Sequence, residues 1–174
     1  MRRFGVAGLA AQLLFVGSLA GCWVPPRIVS ARDPEFNGRI DRLLVLTVDD
    51  GSDDAEPIRI ALDAQLKARR IDHRVAEASG EGQMDEPVTT DGFVPAATLR
   101  ITPTLTIRTE YGGREEVHVD ASLYLAGDTS HRIWRAKVIH GTGSASDNAD
   151  GTPNWATFFA RRVVNQLFLD QVLR

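Results

Sequence analysis

The sequence predicts an α+β domain, a two-layer sandwich in which a mixed sheet of about five strands carries helices on one face. Three observations predict it. The run Leu43-Leu44-Val45-Leu46-Thr47-Val48 is almost continuously apolar, as a strand buried on both faces is. Ile58, Leu62 and Leu66 follow at i, i+4 and i+8, which places them on one face of a helix. Between Leu99 and Leu125 apolar and polar residues alternate with a period of two, the pattern of half-exposed strands. Together they give the order β-α-β-β-β-β-α.

The elements follow in chain order. Asp49-Asp50-Gly51-Ser52 ends the first strand. Asp53 with Glu56 three residues on reads as a capping box, and Pro57 is tolerated in a first helical turn. Lys67, Arg69 and Arg70 suit the negative end of that helix. His73–Ala78 reads as a second strand. Ser79–Pro95, interrupted by Gly80, Gly82, Pro87, Gly92 and Pro95, reads as a loop. Leu99, Ile101, Leu105, Ile107 and Tyr111 then alternate with Arg100, Thr102, Thr104, Thr106, Arg108 and Glu110. Pro103 falls on the apolar register, which implies an edge position or a bulge. Gly112-Gly113 signals a hairpin, Val117 to Leu125 alternate again, Gly127-Asp128-Thr129-Ser130 marks a turn, and Ile133–His140 is a further strand. These three strands make an antiparallel meander. A polar Gly/Ser/Asp loop, Gly141–Asn154, leads to a closing helix over Trp155–Leu173. That helix has one apolar stripe at Trp155, Phe159, Val163 and Leu167 and another at Val164, Phe168 and Val172. Its two-sided character means burial within the domain or, as the alternative, a docked partner. The Thr- and Arg-rich tract Arg100–Arg108 would accept a partner strand if it lay at a sheet edge, although Pro103 guards it.

The start of the chain follows a different logic. Arg2 and Arg3 precede an apolar run, Phe4–Val16, that is shorter than the ~20 residues a membrane helix needs and matches the core of a secretory signal. The run ends in Leu19-Ala20-Gly21-Cys22. This resembles the lipobox of bacterial lipoproteins, in which Leu, a small residue and Gly or Ala precede Cys. The resemblance implies cleavage between Gly21 and Cys22, lipidation of the Cys22 thiol and acylation of the new amino group. Cys22 is the chain's single cysteine, so an intrachain disulfide is ruled out and lipidation gives the residue a purpose. Two or three acyl chains hold a protein stably, at about 0.8 kcal/mol per buried methylene. Trp23, rather than Asp, follows the cysteine. By analogy with enterobacterial lipoproteins, that implies the outer membrane, facing the periplasm. The expected division is residues 1–21 as signal peptide, 22–38 as a lipidated tether stiffened by Pro25 and Pro26, and 39–174 as one globular periplasmic domain.

With 20 basic and 23 acidic residues the formal net charge is −3, so no large basic field for nucleic acid is expected. The sequence contains no H-E-x-x-H, G-x-S-x-G, P-loop or G-x-G-x-x-G. Two constellations have the residue types for chemistry. Asp49, Asp50, Asp53, Asp54 and Glu56 crowd the end of the first strand, where α/β sheets tend to bind ligands and where carboxylates can hold Mg²⁺ or Ca²⁺. The plainer reading is a helix start with acids favoured by its dipole. Glu116, His118 and Asp120 share one strand face and could ligate a metal, or form a solvated face. His73, His131 and His140 have no partner at a useful spacing.

The tract Leu123–Ala136, with its turn and its Trp134-Arg135 pair, resembles a hairpin found in envelope lipoproteins. With the strand-helix-strand start and the final helix, the region from Arg42 onward is similar to a group of small periplasmic modules. That group includes the amino-terminal module of the Tol translocation protein, activator lipoproteins of penicillin-binding proteins, and curli-secretion lipoproteins. The resemblance implies a binding or assembly module and transfers no functional residue. The expectation is therefore a non-catalytic, cofactor-free lipoprotein anchored to the membrane through Cys22, with an envelope protein or peptidoglycan as its partner. The alternatives are a metal-dependent hydrolase using Asp49, Asp50 and Asp53, and a carrier of a lipid-like ligand between sheet and helix.

Overall fold

The computed structural model describes residues 27–49, 54–79, 92–108, 114–141 and 154–174. The chain forms β1 (Arg27–Arg32), β2 (Arg42–Asp49), α1 (Ala55–Ala68), β3 (Asp72–Ser79), β4 (Ala97–Arg108), β5 (Arg114–Leu125), β6 (Asp128–Gly141) and α2 (Asn154–Leu169). The strands make one mixed sheet in the order β1-β6-β5-β4-β2-β3. β2 runs parallel to β3 and β4, while β4-β5-β6 is the antiparallel meander and β1 joins β6 antiparallel. The mixed sheet and two helices agree with the sequence reading.

The sheet has six strands, one more than expected. The additional strand, β1, lies within the segment read as a tether. Arg27–Arg32 pairs along its whole length with Arg135–Ile139 and Trp134, so the sheet takes in part of the segment read as tether. Ile28 packs against the core, and Arg32 donates from Nη1 to the Asp170 carbonyl at 3.0 Å. Both anchor the strand although its apolar pattern is weak.

α1 and α2 pack on each other and on one face of the sheet. Ile58, Leu62 and Leu66 are fully buried, so the stripe read from the sequence is the packed face of α1. Burying such side chains is worth about 1.5–3 kcal/mol each. Both stripes of α2 are also used internally: Trp155, Phe159, Val163, Val164 and Leu167 are buried, Phe168 lies partly buried against the core, and Val172 is buried just past the helix. The partner-docking alternative for this helix therefore falls. α2 is shorter than expected, because the chain turns at Asp170 and Gln171 (φ +57) and Leu173 bridges to Ile40. Leu43 and Val45 of β2 join the helix-side core, while Leu44 and Leu46, on the opposite face, are equally buried. That is the two-sided burial the apolar run predicts.

β4 is interior, between β2 and β5, so the Arg100–Arg108 tract is not an edge strand as a whole. Its pairing with β2 stops at Ile101, and its register against β5 shifts between Pro103 and Leu105. Pro103 thus sits at a bulge, beyond the last β2 partner, where its missing N–H interrupts no ladder. The β5–β6 turn is Ala126-Gly127, one position earlier than read. Leu125 pairs with Asp128, and Gly127 has φ +80. Asp128 caps the return strand, its Oδ1 accepting from the N–H groups of Ser130 and His131 at 3.1 Å each and from the Ser130 hydroxyl at 2.7 Å.

Candidate functional site

Those residues singled out in the sequence that the structure describes do not converge on one site. Cys22 and Gly21, the lipidation and cleavage positions, lie outside the described residues, as do Asp50 and Asp53. Asp49 ends β2. Asp54 is the buried residue before α1 and makes no side-chain cap bond. Glu56 pairs with Arg59, Arg59 Nε donating to Oε2 at 2.7 Å, rather than reaching back to cap the helix. The proposed capping box needs Asp53, which lies outside the described residues; what is seen of Glu56 is its ion pair with the guanidinium one turn along. Glu116 and His118 pair with each other, and Asp120 stands two residues further along the same face. Among the described residues no group of three His, Cys, Asp or Glu side chains is close enough to hold a metal ion.

The other histidines have partners that spacing did not reveal. His73 joins β3 to α1, its Nε2 3.1 Å from Asp63 Oδ1 and its Nδ1 2.8 Å from the Ile71 carbonyl. His131 Nε2 lies 2.5 Å from Asp33 Oδ2, linking β6 to the segment after β1. The Asp33 carboxylate is held below its usual range, chiefly by the Glu35 backbone N–H and then by His131. The Asp128 carboxylate is lowered as well, first by the Ser130 hydroxyl. His140 stacks on Phe158 of α2, ring centroids 5.0 Å apart, with Arg162 on the same phenyl ring at 5.0 Å. Burial pushes the His140 pKa down, and the Arg162 charge adds to the effect.

The feature with most potential for contact is the sheet face turned away from the helices. Along β1 and β6, cross-strand pairing puts Val29 beside Lys137 and Ala31 beside Arg135; on β5, Asp120 lies beside Lys137 and Ser122 beside Arg135. Arg132 sits beside Tyr124. Apart from Tyr124, these side chains border an open groove of about 320 Å³ over the sheet backbone at Ala121 and Ala136, whose own side chains face the core. Arg132, Arg135 and Lys137 are exposed and have no ion-pair partner among the described residues. Val29 is 72% exposed, although large apolar side chains are normally turned inward. Arg100 stands over Tyr124 at 5.3 Å on the same face. A chain of net negative charge thus concentrates cations on one sheet face. The sequence signal was present in Arg132, Arg135 and Lys137, but their common face needed the register of β6 and the existence of β1.

The topology also orients the domain. β2, β3, β4 and β6 end, and β1, β5, α1 and α2 begin, at the same pole of the sheet. No helix among the described residues is long and apolar enough to cross a membrane.

No protein-family model matches the chain, and neither does any curated protein. The fold is similar to that of a solved structure, a PelC dodecamer from Paraburkholderia phytofirmans, with a TM-score of 0.55 at 17% sequence identity. The likeness covers 86% of this chain and 99% of that one.

Proposed function

We propose that the protein is a lipid-anchored lipoprotein of the cell envelope whose sheet-helix domain serves as a non-catalytic assembly module. The observation that carries the reading is the leader sequence: a basic start, a short apolar run and Leu19-Ala20-Gly21-Cys22, with the chain's single cysteine at the lipid position. Trp23 after the cysteine favours the outer membrane over the inner one, with the domain in the periplasm. Two further facts support assembly. The fold is shared with a protein that forms a dodecamer, which favours copies of the same chain as the first partner to test. The β1 and β3 edges also have no neighbouring strand among the described residues, and unpaired backbone at an edge can accept one.

The test is metabolic labelling with palmitate together with the intact mass of the protein purified from membranes. Cleavage before Cys22 and addition of diacylglyceryl and acyl groups are expected, with Cys22→Ser losing the label and accumulating as precursor. Continued labelling of the Ser variant, or a full-length mass with a free thiol, would refute the anchor. Native mass spectrometry of the detergent-solubilised protein tests self-assembly. A strictly monomeric species at all concentrations would leave the module to a different envelope partner.

A further inference from the structure

We infer that the open face of β1 and β6 seats on the anionic lipid headgroups of the membrane that carries the anchor. This rests on the lipoprotein reading and adds an orientation to it. The first support is chain length. β1 starts at Arg27, so only five Cα-to-Cα steps separate it from Cys22, a reach of at most about 18 Å even when fully extended. The reach would have been far longer had residues 22–38 all been tether. A domain held this close cannot diffuse away from the headgroups, and β1 is the part of it nearest to them.

The second support is charge. Arg27, Arg132, Arg135 and Lys137 are exposed on this face. Against them stand Asp120 beside Lys137 and Glu116, whose carboxylate is already engaged by His118. The nearest cation-bearing rows lie close to the anchor: Val29 and Lys137 are two residues along the strands from the Arg27–Ile139 pair, about 7 Å away. A basic residue near an anionic bilayer strengthens adsorption about fivefold, and the attraction fades beyond roughly 8 Å at physiological ionic strength. A tether of at most about 18 Å keeps these cations near enough to the headgroups to settle into that range.

The third support is the combination of Val29 with these cations. A single well-exposed apolar side chain ringed by Arg and Lys suits the headgroup boundary, where the valine enters the acyl edge and the long basic side chains reach phosphates. The helix-side surface has a different character. Of its exposed apolar residues, Ile60 lies on α1 next to Arg59, whose charge is taken up by Glu56, and Leu169 ends α2 at the pole far from the start of β1.

Because Cys22 is the only native cysteine, lipidation leaves an introduced thiol as the unique labelling site. The test places a nitrobenzoxadiazole probe on Val29→Cys, or on Ile60→Cys as control, in the lipidated protein reconstituted into phosphatidylcholine vesicles with and without phosphatidylglycerol. On the anionic vesicles the position-29 probe should brighten several-fold and shift to the blue, while the position-60 probe stays aqueous. High salt, or the combined Arg132→Gln, Arg135→Gln and Lys137→Gln changes, should reverse the shift although the protein remains on the vesicles. An aqueous spectrum at position 29 in a protein shown by mass to be lipidated would overturn the seating and leave the anchor intact. A mass without lipid would overturn both. Shielding of position 29 by soluble polygalacturonate but not by anionic vesicles would assign the face to an acidic polysaccharide instead.

Discussion

Replacing Trp134 by phenylalanine tests how the end of α2 is held to the sheet. The indole is 1% exposed, and its Nε1 donates to Asp170 Oδ2 at 2.7 Å. Asp170 stands immediately beyond the last residue of α2, where the helix dipole disfavours a negative charge. Its position is made tolerable by donors: Trp134, the Gln166 side-chain amide to Oδ1 at 2.9 Å, and the Arg32 guanidinium on the neighbouring carbonyl. Trp134→Phe retains much of the apolar contact and deletes the N–H. A hydrogen bond to a charged group is worth about 1.5–3 kcal/mol, and the half-satisfied carboxylate stays in place to make that loss felt. Trp134→Ala adds a cavity and should lose about 3–5 kcal/mol from packing alone. Urea unfolding followed by far-UV circular dichroism reads the difference. With a denaturant slope of about 2 kcal/mol per molar urea, Trp134→Phe should lower the midpoint by roughly 1 M at unchanged slope. In the Trp134→Phe/Asp170→Asn double variant the two losses should be less than additive, because they remove the same bond. A phenylalanine variant with its midpoint within about 0.2 M of the native value, on the same slope, would refute the account of a bonded indole.

Three further outcomes are expected. His140 titrates with a lowered pKa in the fold, so the unfolded chain takes up the proton first. The stabilisation is complete above about pH 6.5 and is lost as pH falls through the folded pKa. Thermal unfolding between pH 8 and 5 should show this decline, and His140→Phe should flatten it; an unchanged profile in the variant would assign the decline to other groups. Gly127 has φ +80 with open space where a Cβ would stand, so Gly127→Ala should cost about 1 kcal/mol from backbone strain alone and Gly127→Asn less, measured by the same urea titration. Leu62→Ala removes a fully buried side chain from the α1 stripe and should cost about 2–5 kcal/mol, whereas Gln65→Ala, only half-buried on the same helix, should cost much less.

Elements whose side chains obey a simple period were legible in the sequence. The α1 stripe, the doubly buried β2 and the alternation of β5 all follow from one rule each, because local geometry decides which side chains face the core. Pro103 was legible in the same way: a residue without an N–H must sit where the ladder is interrupted. β1 was not legible. Its inward positions are Ile28, Ser30 and Arg32, and its most exposed apolar residue is Val29, so its pattern carries no clean alternation, and the flanking Pro25, Pro26 and Pro34 read as a tether. It is a strand because β6 offers it an edge and because Asp33, through His131, and Arg32, through Asp170, fix its far end. Those partners are 98 and 138 residues away in the chain. The cationic face failed to show for the same reason, since half of its rows are contributed by β1.

The position of β1 also decides which way the domain points on an anchored chain. On the lipoprotein reading, β1 leaves the leader at the pole where β2, β3, β4 and β6 end and both helices begin, so that pole lies nearest the anchor. The opposite pole carries the Ala126-Gly127 turn, the end of α2 and the carboxyl terminus, with Leu173 pinned to Ile40. A thiol introduced by Gly127→Cys would disturb that turn, where φ is +80, whereas Arg174→Cys sits at an exposed position without a structural task. In the lipidated protein on vesicles, Arg174→Cys should react with a membrane-impermeant maleimide as fast as in detergent. A marked slowing on vesicles would mean that the carboxyl-terminal pole, and not the pole where β1 starts, lies nearest the bilayer.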